Sequence, residues 1–170
     1  MAGNGIGKRT HFGLGLAVIA AVVLIDQVAK WWVLEIIRLQ ERAPIEITSF
    51  FQLAFVRNRG VSFGMLHADS FVAVWGLALL SGAIALFFLW WMRLAERSLT
   101  ALALALVVGG AIGNLIDRVR FGGVVDFLDF SGLMFPWVFN VADASITVGA
   151  ALLILDYMTN GEERAGAKAK

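Results

Sequence analysis

Cysteine is absent from the 170 residues, which excludes a thiol nucleophile, a disulfide framework and any thiolate metal site. Histidine is almost absent. His11 and His67 are the only two, and neither stands in an HExxH or similar ligand spacing, so neither zinc nor any other metal or cofactor is expected. Charge is scarce too: Asp, Glu, Lys and Arg make up 16% of the chain, against 59% hydrophobic residues and a mean hydropathy of +0.80. A soluble domain of this length needs far more charge to cover its surface. The formal net charge of +1 offers no field for nucleic acid or for an acidic partner. Carboxylates, hydroxyls and one lysine within an apolar run are what remains for chemistry.

Long apolar runs are what the chain has in abundance. Four of them, at about residues 12–34, 71–92, 99–116 and 138–157, suit helices crossing a hydrocarbon core of about 30 Å, which takes roughly 20 residues. The reading is a single membrane domain, 1–170. Trp31, Trp32, Trp90, Trp91 and Trp137 fall at the ends of the runs, where amphipathic rings prefer the headgroup level. Lys8 and Arg9 precede the first run, which is too long for a signal-peptide core and lacks a small-residue cleavage site, so it reads as a retained helix. Four spans put both termini on one side. The basic residues before the first span place that side in the cytoplasm. Segments 35–70 and 117–137 then face outward together. Within the first, Ile45 to Val56 partly alternates and is rich in β-branched and aromatic residues, which predicts one or two short strands. Arg57-Asn58-Arg59-Gly60 has turn chemistry. In the second, glycines at 122, 123 and 132 bracket a short strand through Val124, Val125 and Phe127.

An ionisable group inside a span costs about 2.5 to 3.5 kcal/mol on insertion scales and needs a partner or a purpose. Asp26 and Lys30, four residues apart on one helical face, read first as a mutually neutralising pair. Asn114, Asp117 and Arg118 close the third span behind a glycine-rich stretch that permits close helix contact. Asp126 and Asp143 lie on either side of the short segment between the third and fourth spans, so both are near one membrane face. With the fourth helix starting near Trp137, Asp143 is expected about six residues in, or roughly 9 Å below the surface. Two carboxylates brought close tend to share one proton, and such a pair can activate water while protonating a peptide carbonyl. By chemistry alone Asp129 is an equal rival to Asp126. A second reading, a small transporter or channel relaying charge through Asp26, Lys30 and Asp143, expects ionisable groups at mid-membrane and related halves. Here the acids gather toward one interface and the halves differ.

Five short blocks occur in order: Asp26-Gln27-Val28-Ala29-Lys30, Asn58-Arg59-Gly60-Val61-Ser62-Phe63-Gly64, Gly113-Asn114-Leu115-Ile116-Asp117-Arg118, Val124-Val125-Asp126-Phe127 and Phe139-Asn140-Val141-Ala142-Asp143. In them the chain resembles the bacterial lipoprotein signal peptidases, or signal peptidase II, over most of its length. The resemblance implies a membrane α-helical fold, a four-transmembrane-helix bundle carrying a small extracytoplasmic β-cradle, in the bacterial inner membrane. It implies an aspartyl endopeptidase that removes signal peptides from diacylglyceryl-modified prolipoproteins, cutting before the lipid-bearing cysteine, as a monomer among membrane lipids. It also implies Asp126, rather than Asp129, as the partner of Asp143. Asn58, Asn114, Arg118 and Asn140 become residues that contact substrate or support the pair, while Asp26, Lys30, Asp117 and Gly60 become structural or supporting.

Overall fold

The apolar runs form four helices in the computed structural model, which describes residues 3–60, 71–134 and 137–168, with side chains described for 11–60, 74–134 and 137–159. Helix α1 spans Gly3–Trp31 and continues into a wider turn, Trp32–Ile36, closed by the Ile37 N–H on the Trp32 carbonyl at 3.0 Å. Helices α2, α3 and α4 span Phe71–Leu94, Ser98–Phe121 and Val141–Lys168. Each helix contains a stretch long and apolar enough to cross a membrane.

Helix α3 is the centre of the bundle. Its most apolar window is 61% buried, against 22% for α1, 11% for α2 and 17% for α4, and all three other helices pack on it. Its small residues allow that. A Cβ added at Gly109 would lie 2.8 Å from Val22 Cβ, and one at Gly113 would lie 2.6 Å from an Asp26 carboxylate oxygen. Glycine here brings helix backbones together where dispersion contacts, rather than water release, hold a membrane bundle. Leu79, Leu86, Phe87 and Trp90 point outward, as lipid-facing positions should. At the end carrying both termini, Arg93 lies over the Phe12 ring at 5.4 Å and Arg97 reaches Asp156 at 3.3 Å.

The opposite end carries a four-stranded antiparallel sheet in chain order: β1 Ile45–Glu46, β2 Gln52–Asn58, β3 Val124–Asp129 and β4 Val138–Phe139. The first three fall in the two segments where the sequence predicts short strands. Between the pairs Leu53↔Leu128 and Val56↔Asp126, β2 holds one residue more than β3, a bulge that bends the strand and re-aims its side chains. Val125 and Phe127 sink into an apolar cluster with Val33, Leu39 and Leu53, which seats the sheet on the top of α1.

The start of α4 departs from the sequence reading. Residues 138–139 pair with Asp129 and Leu128 as β4, and α4 begins only at Val141. Asp143 therefore sits in the first turn of its helix rather than six residues inside it. The strand pairing and the Asn140 cap outcompete helix extension. At its other end α3 runs on to Phe121, so Asp117 and Arg118 are helical. Val61 to Gly64, part of one family block, lie outside the described residues, as do His67 and the rest of 61–70.

Candidate active site

Alternation along β3 decides which way its two acids point. Asp126 is 1% exposed and, an odd number of residues from Asp129, projects from the opposite face. Asp129 is occupied elsewhere: its carboxylate accepts the Gln52 amide at 2.7 Å and the Ser131 N–H at 2.8 Å. Burial raises its carboxyl, but the Ser131 N–H, the Gln52 amide and the Ser131 side chain outweigh that and hold it below the usual carboxylate range. Asp126 instead accepts the Asn140 side-chain amide at 2.6 Å.

Asn140 is also the N-cap of α4. Its side-chain oxygen accepts the Asp143 N–H at 2.9 Å, and the Asp143 carboxylate accepts the Asn140 N–H at 3.3 Å. This reciprocal pair is a capping box with aspartate in the third helical position. One residue thus touches both acids. Helix propensity and capping place Asp143 at the positive end of α4, where a carboxylate is favoured.

The remaining side chains form one connected network around the pair. Asn114 donates to Asp143 at 2.7 Å, while its oxygen accepts Asn140 at 3.2 Å and Lys30 at 3.4 Å. Two donors converging on that oxygen leave the amide nitrogen for Asp143. Lys30 lies 2.8 Å from both Asp26 and Asp117, all three buried. The Arg118 guanidinium donates to Ser81 at 3.4 Å and to the Asn114 carbonyl at 3.3 Å, within electrostatic reach of Asp143, Asp117 and Asp126. Asn58 ends β2 on the same sheet face as Asp126. Its side-chain oxygen takes the Gly60 N–H at 2.9 Å, and its amide serves Asp126. Gly60 adopts φ +98°, and Leu77 fills the space a Cβ would need, so only glycine fits this turn against α2.

Burial, and secondarily the charge of Asp143, push the Asp126 carboxyl up to about 6, with the Asn58 and Asn140 amides drawing it partly back. A carboxyl raised in this way beside a second acid keeps its proton to a higher pH than an ordinary carboxyl. The pair can take a proton from water at one oxygen and donate one at another. Among the described residues, no three His, Asp or Glu side chains converge to hold a metal ion.

Sequence reasoning left Gln27 without a role, although its amide donates to Asp117 at 3.0 Å, to Asp26 at 3.2 Å and to the Gly113 carbonyl at 3.3 Å. Its place beside Asp26 on the lysine-bearing face of α1 was the available signal. Two backbone contacts carried no sequence signal at all: the Val125 N–H on Asp117 and the Ala142 N–H on Asp26, both at 3.0 Å.

Comparison with known proteins gives a consistent result. The profile of the family described as signal peptidase (SPase) II matches residues 18–159. The chain is 42% identical to the lipoprotein signal peptidase of Caulobacter vibrioides, over 89% of this chain and 90% of that one. It is 45% identical to that of Rhizorhabdus wittichii, over 87% of each. Two solved bacterial membrane enzyme structures, obtained by the in meso method at 2.3 Å and 1.9 Å, superpose with TM-scores of 0.76 and 0.71. They are 26% and 29% identical to this chain and cover 89% and 85% of it, and 91% and 92% of their own lengths. None of these comparisons favours a transporter.

Proposed function

Because the chain belongs to the signal peptidase II family, a family of proteases, we propose that Asp126 and Asp143 are its catalytic pair and that it cleaves diacylglyceryl-modified prolipoproteins before the lipidated cysteine. The observation that carries this reading is Asn140, which hydrogen-bonds both carboxylates and so makes them one unit. Asp143, half-buried at the helix N-terminus, is the member assigned to activate water. Asp126, buried and raised, is suited to hold the proton that passes to the peptide carbonyl and then to the leaving amine. Asn114 and Arg118 orient Asp143 and its surroundings, and Asn58 steadies Asp126 from the neighbouring strand.

The substrate enters sideways from the lipid, since its signal helix and acyl chains are both apolar. Its scissile bond meets the pair at the sheet end of the bundle, which faces outward from the bacterial inner membrane while both termini face the cytoplasm. Action as a monomer is part of the same reading. The test is direct: purified protein in bilayer nanodiscs is incubated with a preprotein carrying the diacylglyceryl cysteine or its unmodified thiol. Release of the signal peptide, read on a gel, is expected from the lipidated form. Equal cleavage of both forms contradicts lipid recognition, and cleavage of neither contradicts the reading.

A further inference from the structure

The buried triad Asp26–Lys30–Asp117 does more than neutralise charge within the bundle. Each acid spends one oxygen on the lysine, at 2.8 Å. Each also grips a backbone N–H from another element. Asp117 accepts the N–H of Val125, the residue immediately before Asp126, and Asp26 accepts the N–H of Ala142, the residue immediately before Asp143. These four groups sit on α3, β3, α1 and α4 in turn. A single ammonium therefore ties together the two backbone positions that carry the two acids of the site.

We infer that Lys30 is a positioning residue that sets the spacing of Asp126 and Asp143, acting through Asp117 on one arm and Asp26 on the other. The inference rests on the proposed catalytic pair. A third link runs alongside: the Lys30 ammonium approaches the Asn114 oxygen at 3.4 Å and helps turn the Asn114 amide toward Asp143. The seat is tightly built. Gly113 on α3 leaves room for the Asp26 carboxylate, which would be only 2.6 Å from an added Cβ. Gln27 buttresses both arms by donating to Asp26 and Asp117. Without its cation the triad becomes two buried carboxylates that repel, and the arms spread or one of them takes a proton. Either way the backbone beside one catalytic acid shifts, and a misplacement of about 1 Å can cost on the order of 100-fold in rate.

The experiment measures kcat and KM separately on a lipidated preprotein in nanodiscs, with a thermal melt for each protein. Lys30→Met removes the charge and keeps a similar length. Gly113→Ala keeps every charge and displaces the Asp26 arm. Thr100→Val, at the far end of the bundle, is a destabilising control. Positioning through the triad is expected to lower kcat about 10- to 100-fold in Lys30→Met and Gly113→Ala, with KM within about 2-fold. Thr100→Val is expected to lower the melting temperature and leave kcat alone. A purely structural triad gives the opposite pattern, lower melting temperatures with kcat per folded molecule unchanged, and overturns the inference. Should Lys30→Met not fold, Gly113→Ala carries the test alone. Wild-type protein that fails to cleave at all strikes the catalytic reading itself, whereas active wild type with unimpaired variants strikes only Lys30.

Discussion

The apolar span of α4, Val141–Thr159, carries a shielded acid near each end, and the two are treated differently. Asp156, 5% exposed, accepts the Thr100 hydroxyl at 2.6 Å and faces Arg97 at 3.3 Å. A hydroxyl and a cation close off its charge, which is how a membrane bundle makes a buried carboxylate tolerable. Asp143, at the sheet end, is held by the neutral amides of Asn114 and Asn140, and its charge acts on Asp126. Neutral donors orient an acid without cancelling it. On the proposed reading, the acid held by neutral amides serves proton transfer, and the acid closed off by a cation and a hydroxyl holds helices together.

The sharpest way to break this contrast is to make one chemical change at both ends. Asp143→Asn is expected to reduce cleavage of a lipidated preprotein by about 1,000-fold or more, in line with the loss of general acid–base catalysis. Asp156→Asn is expected to keep the rate per folded molecule, read in the same gel assay. Comparable losses at both positions would dissolve the distinction.

Stability should move in opposite directions at the two ends. The folded-state carboxyl of Asp126 is raised from 3.8 to about 6, so its contribution is favourable below about pH 4 and is lost as pH rises through 6. At pH 8 the native protein keeps a desolvated carboxylate that Asp126→Asn removes. That variant is expected to be more stable than wild type by up to about 3 kcal/mol at pH 8. The gain should fade to nothing near pH 4, as followed by denaturant melts in detergent. Asp156→Asn is instead expected to cost about 1 kcal/mol at pH 8, because it loses the Arg97 ion pair and weakens the Thr100 hydrogen bond. The smallest effect belongs to Thr100→Val, which removes that one hydroxyl and should cost about 1 kcal/mol or less in the same melts.

Much of this contrast was legible in the sequence, and the part that was not has a physical reason. Apolar run length located the four helices, because the bilayer sets that length directly. It also brought Asp126 and Asp143 to one end, since a short connection between spans leaves no other choice. Partial alternation located β1 and β2, and bracketing glycines located β3. What this left open was which face of β3 meets the helices, so Asp126 and Asp129 stayed equivalent by chemistry until the family blocks separated them. The start of α4 is read too early because Val138 and Phe139 continue its apolar run. Pairing with Leu128 and Asp129 decided the matter, a contact between segments rather than a local preference. The grip of Asp26 on the Ala142 N–H was invisible for the same reason: backbone groups are alike in every residue, and 116 positions separate the partners.

The claim that Asp126 and Asp143 work as one unit is tested most directly by a double-mutant cycle on kcat for the lipidated preprotein, with Asp129→Asn alongside. Residues that act together are not additive. Asp126→Asn, Asp143→Asn and the double variant are therefore expected to fall to the same residual rate, while Asp129→Asn retains wild-type cleavage. Wild-type cleavage by either single variant, or a double variant whose loss is the product of the two singles, would contradict it.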